Sequence, residues 1–374
     1  MGTAGIVGMF ILMLLPHKLL KGLGFPAMVV TALLMGLTLL IGQDGNNSDV
    51  RRWLQLGPFR FQPGEFARIG MIWAVAWLID RLTVNKTYAL RFSKKFIRYL
   101  IKGKAPILKK AGYFFKSYFL ALFYIALISL LFISQPDLGS AITVAGIGMM
   151  MILSSGIPRN HVLTYSVLAI LGGAGVFAFP ERVVRGYQYV RFAVWRDPFS
   201  HPRGLQNVYG FASIALGGIF GVGLGESTQK AGFAIEAHTD FIITILAEEL
   251  GLLMVLLVMA LYFSIAVRCF LTALKGRSLF ASMFCIGTGA LFLVQPLINL
   301  GGASGFIPLT GITLPLLSFG GTSTAAIFLM LGVYFNSRIQ IIMENQQKNL
   351  KEKNKTVSSQ PIQLPKVIPF LKTQ

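Results

Sequence analysis

The sequence predicts an all-α, polytopic integral membrane protein, and three observations carry that prediction. Hydrophobic residues make up 54% of the 374 and charged residues only 13%. The apolar residues are gathered into nine long runs, and a helix needs about 20 such residues to cross a bilayer. The runs do not alternate apolar with polar residues, as the strands of a membrane barrel would, so helices are left to satisfy their own backbone in lipid.

Taken in order, the spans are expected near 4–16, 24–42, 66–80, 117–134, 138–155, 161–179, 240–267, 279–298 and 319–335. No cleavage site follows the first run, so it reads as a short helix and not as a signal peptide. Lysine and arginine set the orientation. The 81–116 segment carries cations from Arg81 to Lys116 and no acid, which makes it a basic cytoplasmic loop. Lys18, Lys21, Arg159, Arg268, Lys275, Arg277 and the cations from Arg338 onward fall on the same side. The segments 43–65, 180–239 and 299–318 are then outside. A transmembrane domain over 1–340 and a disordered cytoplasmic tail over 341–374 complete the organisation. Nine spans with a cytoplasmic carboxyl end place Met1 outside, a parity that suits either a sequence lacking one helix ahead of its first run, the favoured reading, or a short first run that inserts with its amino end out.

The net charge of +20 follows from this sidedness and from attraction to anionic lipid. The 81–116 run interleaves Tyr88, Phe92, Phe96 and Tyr99 with its cations, which suits a helix lying on the membrane. A nucleic-acid partner is not expected. The four histidines and two cysteines have no metal-ligand spacing, and Cys269 and Cys285 read as free, apolar thiols.

Acids are scarce, with 14 Asp plus Glu against 34 Lys plus Arg. Asp240 closes the polar run Glu236-Ala237-His238-Thr239-Asp240 at the point where the seventh apolar run opens. An ionisable group at the centre of a membrane helix costs roughly 2.5–3.5 kcal/mol on insertion scales, so an acid held at such a boundary marks a functional site. The preceding 180–239 segment is far longer than a helix connection requires. Its cations, Arg182, Arg185, Arg191, Arg196, Arg203 and Lys230, suit a phosphate or pyrophosphate ligand, or else pair with the local acids.

The glycine-rich 217–225 segment lacks both nucleotide-loop spacings. Gly217, Gly221 and Gly225 recur every fourth residue, and in a helix would present a bare packing face. Asp137, in the turn Gln135-Pro136-Asp137-Leu138-Gly139, is expected to cap the next helix. Residues 307–321 are apolar but broken by proline and glycine, so they should line a cavity or lie buried in protein. Glu248 and Glu249, inside the seventh span, should pair with a cation, face an aqueous pocket or act as structural locks.

Several strings together resemble the shape, elongation, division and sporulation family of FtsW, RodA and SpoVE. They are Arg51-Arg52-Trp53-Leu54, Phe61-Gln62-Pro63 with Glu65, Gln135-Pro136-Asp137-Leu138-Gly139, and Tyr187 with Arg191. Gly223-Leu224-Gly225, Glu236-Ala237-His238-Thr239-Asp240, Glu248-Glu249-Leu250-Gly251 and Asn299 through Ser318-Phe319-Gly320-Gly321 follow in family order, so the match covers residues 1 to about 340. Departures are Asp49-Val50, Gly64, Arg68 where lysine is usual, Ala234-Ile235, and Phe319 where tyrosine is usual. None removes an acid or a cation.

The resemblance implies a ten-helix fold, of which this sequence would lack the first. It implies a peptidoglycan glycosyltransferase that polymerises lipid II and polyprenyl-pyrophosphate-linked glycan outside the bacterial cytoplasmic membrane. A class B penicillin-binding protein and other division or elongation proteins would be its partners. Asp240 takes the place of the family's essential aspartate and would be the general base. Glu65, Arg51, Arg52, Arg191, Lys230, His238 and Ser318 form the expected substrate-binding set. A divalent cation, Mg or Mn, would assist at the pyrophosphate. A lipid II flippase, or a scaffold that activates the penicillin-binding protein, are the rival readings. Glu236–Asp240 and Gly311–Pro315 favour the division type, while Tyr187-Gln188 favours the elongation type.

Overall fold

The computed structural model describes residues 1–43, 51–57, 59–82, 111–156, 159–183, 186–228 and 239–358. In chain order the elements are α1 (Gly2–Leu14), the short connector α2 (His17–Gly22), α3 (Gly24–Ile41), and a hairpin of β1 (Leu54–Leu56) and β2 (Phe59–Phe61). Next come α4 (Pro63–Leu82), α5 (Ala111–Ser134), α6 (Leu138–Ser154), α7 (Arg159–Ala178), α8 (Pro180–Val183), α9 (Tyr187–Arg196) and α10 (Leu205–Gly217). The last three are α11 (Ile242–Lys275), α12 (Leu279–Ala303) and α13 (Gly321–Ser358). Each expected span carries a helix, so the chain is a multi-pass, all-α membrane protein.

The bundle is built around α4 and α12. α12 packs against α4, α6, α11 and α13, and most of its residues are buried. Lipid tails are as apolar as leucine, so helices associate through close packing and polar contacts. Gly287 shows the first: a Cβ there would sit 2.4 Å from the Ile72 side chain of α4 and 2.9 Å from Met151 Sδ of α6. Side chains that reach into neighbouring backbones show the second. Trp73 Nε1 donates to Leu20 O at 2.9 Å, Tyr124 OH to Met28 O at 3.0 Å, and Gln135 Nε2 to Met35 O at 3.0 Å. Cys269 and Cys285 are buried free thiols.

Two features differ from the sequence reading. The glycine-rich segment is not one helix: α10 ends at Gly217, and Gly218, Gly221, Gly223 and Gly225 all take positive φ. Close packing is nevertheless their role. Val222 N and Gly223 N donate to Glu248 O and Glu249 O, while Leu252 N and Leu253 N donate to Gly218 O and Ile219 O. The two segments pair like strands because α11 breaks at Gly251, whose φ of 80° leaves its neighbours' amides available. Second, the tail expected to be disordered from 341 continues as helix to Ser358. Glu344 accepts from Ser278 N, Asn345 Nδ2 donates to Lys275 O, and Lys348 pairs with Glu352 one turn on. Of the roles open to Glu248 the structure shows the lock: it accepts from Ser227 Oγ at 2.7 Å and from Thr228 N and Oγ1, both at 2.9 Å. The basic stretch over 83–110 and the end of the tail over 359–374 lie outside the described residues.

Candidate active site

The site forms where the residues ahead of α11 meet the irregular segment between α12 and α13. Thr239 and Asp240 lie in a turn, with Phe241 buried beneath them as the cap of α11. Residues 307–321 run without helix for most of their length, as the proline and glycine content dictates. Their backbone must therefore find other partners. Gln295 Nε2 donates to Thr313 O at 2.7 Å and Tyr262 OH to Pro315 O at 2.6 Å. Asn299 Nδ2 donates both to Ile312 O at 2.6 Å and to the backbone oxygen of Asp240 at 2.9 Å. Ser318 Oγ donates to Thr239 O and accepts from Leu314 N, each at 2.7 Å. Asp240 thus rides on the same scaffold as the 307–321 segment.

From the other side comes α9. Its buried face carries Gln188, Phe192 and Val194, while Tyr189 and Arg196 are exposed. Arg191 Nη1 donates to Leu309 O at 2.9 Å, and one turn on Trp195 Nε1 donates to Gly305 O at 2.8 Å. These contacts bring the Arg191 guanidinium beside the Asp240 carboxylate, over Gly311. Gly311 has φ +70° and no side chain, so nothing separates the two groups from its backbone. A half-buried acid next to a cation, floored by bare backbone, can accept a proton from one reactant while the cation faces developing negative charge.

Behind this pair lies a buried polar network. Glu65 and Arg68 form an ion pair at 2.8 Å, with side chains 4% and 3% exposed. Arg68 Nη2 donates to Ser140 Oγ at 2.9 Å, and that hydroxyl donates to Asp137 Oδ2 at 2.7 Å. Asp137 also accepts from Ser140 N at 3.1 Å, the helix cap expected of it. On the far side Glu65 bonds to the Ser323 hydroxyl, which in turn lies 3.2 Å from Thr313 Oγ1.

The structure therefore brings Asp240, Arg191 and Ser318 to one place. Glu65 sits deeper, in the supporting network. Arg52 donates to Gln135 O and Pro136 O and fixes the turn ahead of α6. Arg51 is exposed and donates to Leu39 O at 2.8 Å, at the end of α3. Lys230 and His238 lie outside the described residues. Sequence reasoning gave no role to Asn299, Gly311 or Trp195. The signal for Asn299 was present: an amide in an apolar run must find partners. Among the described residues there is no cluster of three or more His, Cys, Asp or Glu that could hold a metal ion.

Comparison with known proteins identifies the family. The chain matches the FtsW, RodA and SpoVE family, described as cell cycle proteins, over residues 2–341. It is 32% identical over 348 residues to a protein of Bacillus subtilis named probable peptidoglycan glycosyltransferase FtsW, covering 91% of this chain and 80% of that one. It is 31% identical to stage V sporulation protein E of the same organism, covering 89% and 83%. A chain from a solved peptidoglycan synthase complex, described as coordinating polymerization and crosslinking, superposes with a TM-score of 0.68 at 28% identity, covering 91% and 87%. The rod shape determining protein RodA of Thermus thermophilus superposes with a TM-score of 0.59 at 26% identity, covering 90% and 84%.

Proposed function

Because the chain belongs to the FtsW, RodA and SpoVE family, we propose that it is a peptidoglycan glycosyltransferase polymerising lipid II into glycan strands. The observation that carries the reading is the convergence of Asp240 and Arg191 on the bare backbone of Gly311. An acceptor sugar hydroxyl is a poor nucleophile. Asp240 takes its proton as the oxygen attacks the anomeric carbon of the growing chain. The bond from that carbon to the lipid pyrophosphate breaks, and Arg191 stabilises the charge left on the leaving group. Attack from the face opposite the leaving group inverts the anomeric centre.

The other residues serve this pair. Ser318 and Asn299 hold the backbone on either side of the Asp240 carboxylate, while Glu65 and Arg52 brace the walls. Lys230 and His238 add a cation and a polar group just before Asp240 in the chain. A divalent cation would take most of its ligands from the pyrophosphate with Asp240 as a protein donor, and would offset charge on the leaving group. The cation-rich ends of the helices face the cytoplasm, as Arg268 and Lys275 do at the opposite end of α11 from Asp240, so the site opens outside the bacterial cytoplasmic membrane. A class B penicillin-binding protein is the proposed partner, a reading supported by the likeness to a synthase complex. Relatives named FtsW support a role in division.

The deciding experiment is lipid II polymerisation by the purified chain in nanodiscs, alone and with its partner, beside Asp240→Asn. The reading expects glycan from the wild type and none from folded Asp240→Asn in either setting. Glycan from Asp240→Asn at the wild-type rate sinks the base assignment. Lipid II translocation with no polymer identifies a flippase, and polymer that depends only on the partner's own site identifies a scaffold.

A further inference from the structure

We propose that the groove at the cytoplasmic end of α11 is a binding site for an anionic phospholipid, with Arg268, Lys275 and Arg338 on its phosphodiester and an apolar row of α11 beneath one acyl chain. The groove lies between α11 and α13, at the opposite end of α11 from Asp240, and has a volume of about 490 Å³. That is within the roughly 300–1,000 Å³ usual for sites that hold small ligands. The proposal takes its sidedness from the orientation given above and does not depend on the glycosyltransferase reading.

Two kinds of surface meet in this groove. Phe263, Val267 and Leu271 recur every fourth residue, so they form one row along α11, about 12 Å from end to end. Phe263 is 58% and Leu271 52% exposed, so the described helices leave the row open. Lys275 continues the row by one turn, Arg268 stands beside it, and Arg338 of α13 forms the other wall. The long stem of Arg268 lets its guanidinium reach toward the same edge as Lys275. Charge is thereby gathered at the cytoplasmic edge of the groove and apolar carbon toward the bilayer core.

The charges select the ligand. Among the described residues that line the groove none is acidic, so three cations share one cleft with no opposite charge between them. Glu344, the acid on the same helix as Arg338, is engaged elsewhere, accepting from Ser278 N and Gln340 Nε2. The two hydroxyls of the lining, Ser264 and Thr272, donate back to Ala260 O at 2.7 Å and Arg268 O at 2.8 Å. The donors offered to a ligand are therefore cationic. Guanidinium groups grip the paired oxygens of a phosphodiester, and a lysine adds a point charge. A soluble anion would leave the apolar row unused, and a partner's apolar helix would leave the cations without counter-charge. An anionic phospholipid uses both surfaces, as basic pockets between membrane helices on the cytoplasmic side do.

The test titrates the full chain, purified in an uncharged detergent, with phosphatidylglycerol and with phosphatidylcholine of the same acyl chains. Bound lipid is read by native mass spectrometry. Each cation near an anionic headgroup strengthens binding about fivefold, so the wild type should prefer phosphatidylglycerol by at least about tenfold. The triple variant Arg268→Gln/Lys275→Gln/Arg338→Gln should lower that preference to about twofold or less. All three side chains are exposed, so the variant should fold. Should it not, the three single variants replace it, and each should lose about threefold of the preference. A control triple, Lys18→Gln/Arg277→Gln/Lys351→Gln, removes as much charge from the same side outside the groove and should keep the wild-type preference. Retention of the preference in the groove variants, or an equal loss in the control, overturns the site by assigning the preference to other cations. Displacement of bound phosphatidylglycerol by excess inorganic phosphate would make this a soluble-anion site and overturn the lipid. Equal binding of both lipids by the wild type also overturns it, and leaves the groove to a partner's apolar helix.

Discussion

Asp240 Oδ2 and Arg191 Nη2 each lie 3.0 Å from the point that a Cβ on Gly311 would occupy, and Arg191 Nη1 lies 3.1 Å from it. Gly311 also has φ +70°, where a side-chain-bearing residue costs roughly 1–2 kcal/mol. Alanine at this position therefore strains the backbone slightly and wedges a methyl group against both charged groups. We expect Gly311→Ala to lower the polymerisation kcat by at least about 10²-fold, because misplacement of reacting groups by about an ångström has that effect. Its melting temperature should fall by only a few degrees. Full activity in Gly311→Ala would show that substrate does not pass between the two groups.

Asn299 ties Asp240 to Ile312 through one amide nitrogen, and its Oδ1 is buried without a partner. Replacing it with leucine keeps the volume and leaves two backbone carbonyls without their donor. Unmet buried groups cost about 1–3 kcal/mol each. The expected result for Asn299→Leu is a melting temperature lower by several degrees together with a kcat loss larger than the loss of folded protein explains. Measuring both on the same preparation separates the two effects, and a variant that only melts earlier would make Asn299 a purely structural clamp.

The pair Glu65–Arg68 lies under the site, and breaking a buried pair by removing one partner costs about 3–5 kcal/mol. Either Glu65→Gln or Arg68→Met should therefore destabilise strongly. The double variant Glu65→Gln/Arg68→Met should recover part of the loss, since no charge is then left alone. Thermal unfolding of all four proteins gives the coupling. Additive losses would show that Glu65 draws its stabilisation from Ser323 and not from Arg68.

The helical, membrane-spanning architecture was legible because it follows from the length and spacing of apolar runs, which lipid enforces residue by residue. The position of Asp240 at the head of α11 was legible for a related reason: the polar run that it closes ends where the apolar run opens. Gly217, Gly221 and Gly225 misled because a four-residue repeat looks the same in a helix and in a loop, and here only Gly217 is helical while Gly221 and Gly225 take positive φ; the break at Gly251 frees the amides of Leu252 and Leu253 to pair with Gly218 and Ile219. The helical start of the tail escaped notice because Glu344 and Asn345 reach contacts on a different helix, which a local reading of charged residues does not include. Arg51, Arg52 and Glu65 share the residue types of Arg191 and Asp240, and which of them face the site is set by tertiary packing alone.

Glu248 is 1% exposed and accepts three hydrogen bonds from Ser227 and Thr228, so it locks the 218–228 segment onto the first turns of α11. Hydrogen bonds to a charged acceptor contribute about 1.5–3 kcal/mol each. Glu248→Ala should free this segment, and limited proteolysis should then cut near Ser227 at least about tenfold faster than in the wild type, because each 1.4 kcal/mol of local opening is a factor of ten. Glu248→Gln, which keeps the shape but weakens the acceptor, should fall between the two. Unchanged cleavage in Glu248→Ala would remove the locking role and return this acid to consideration as a functional group.

At the opposite end of the bundle, His17 joins α2 to α13 and α12: Nδ1 lies 3.1 Å from Asn336 Oδ1 and Nε2 lies 3.5 Å from Ser278 Oγ. Burial pushes the imidazole below its ordinary value of 6.5, while the Asn336 hydrogen bond and the Glu344 charge pull it upward less strongly. The sign follows from where the proton binds. Below about pH 6.5 the unfolded chain takes up a proton at this position that the folded chain still refuses, so stability is complete above that pH and falls as the pH drops toward the folded value. We expect the melting temperature in detergent to fall between pH 7 and pH 5, and to fall less in His17→Gln, which cannot be protonated there. The same fall in both proteins would assign the acid sensitivity to other groups, and a smaller fall in the wild type would reverse the sign of the His17 contribution.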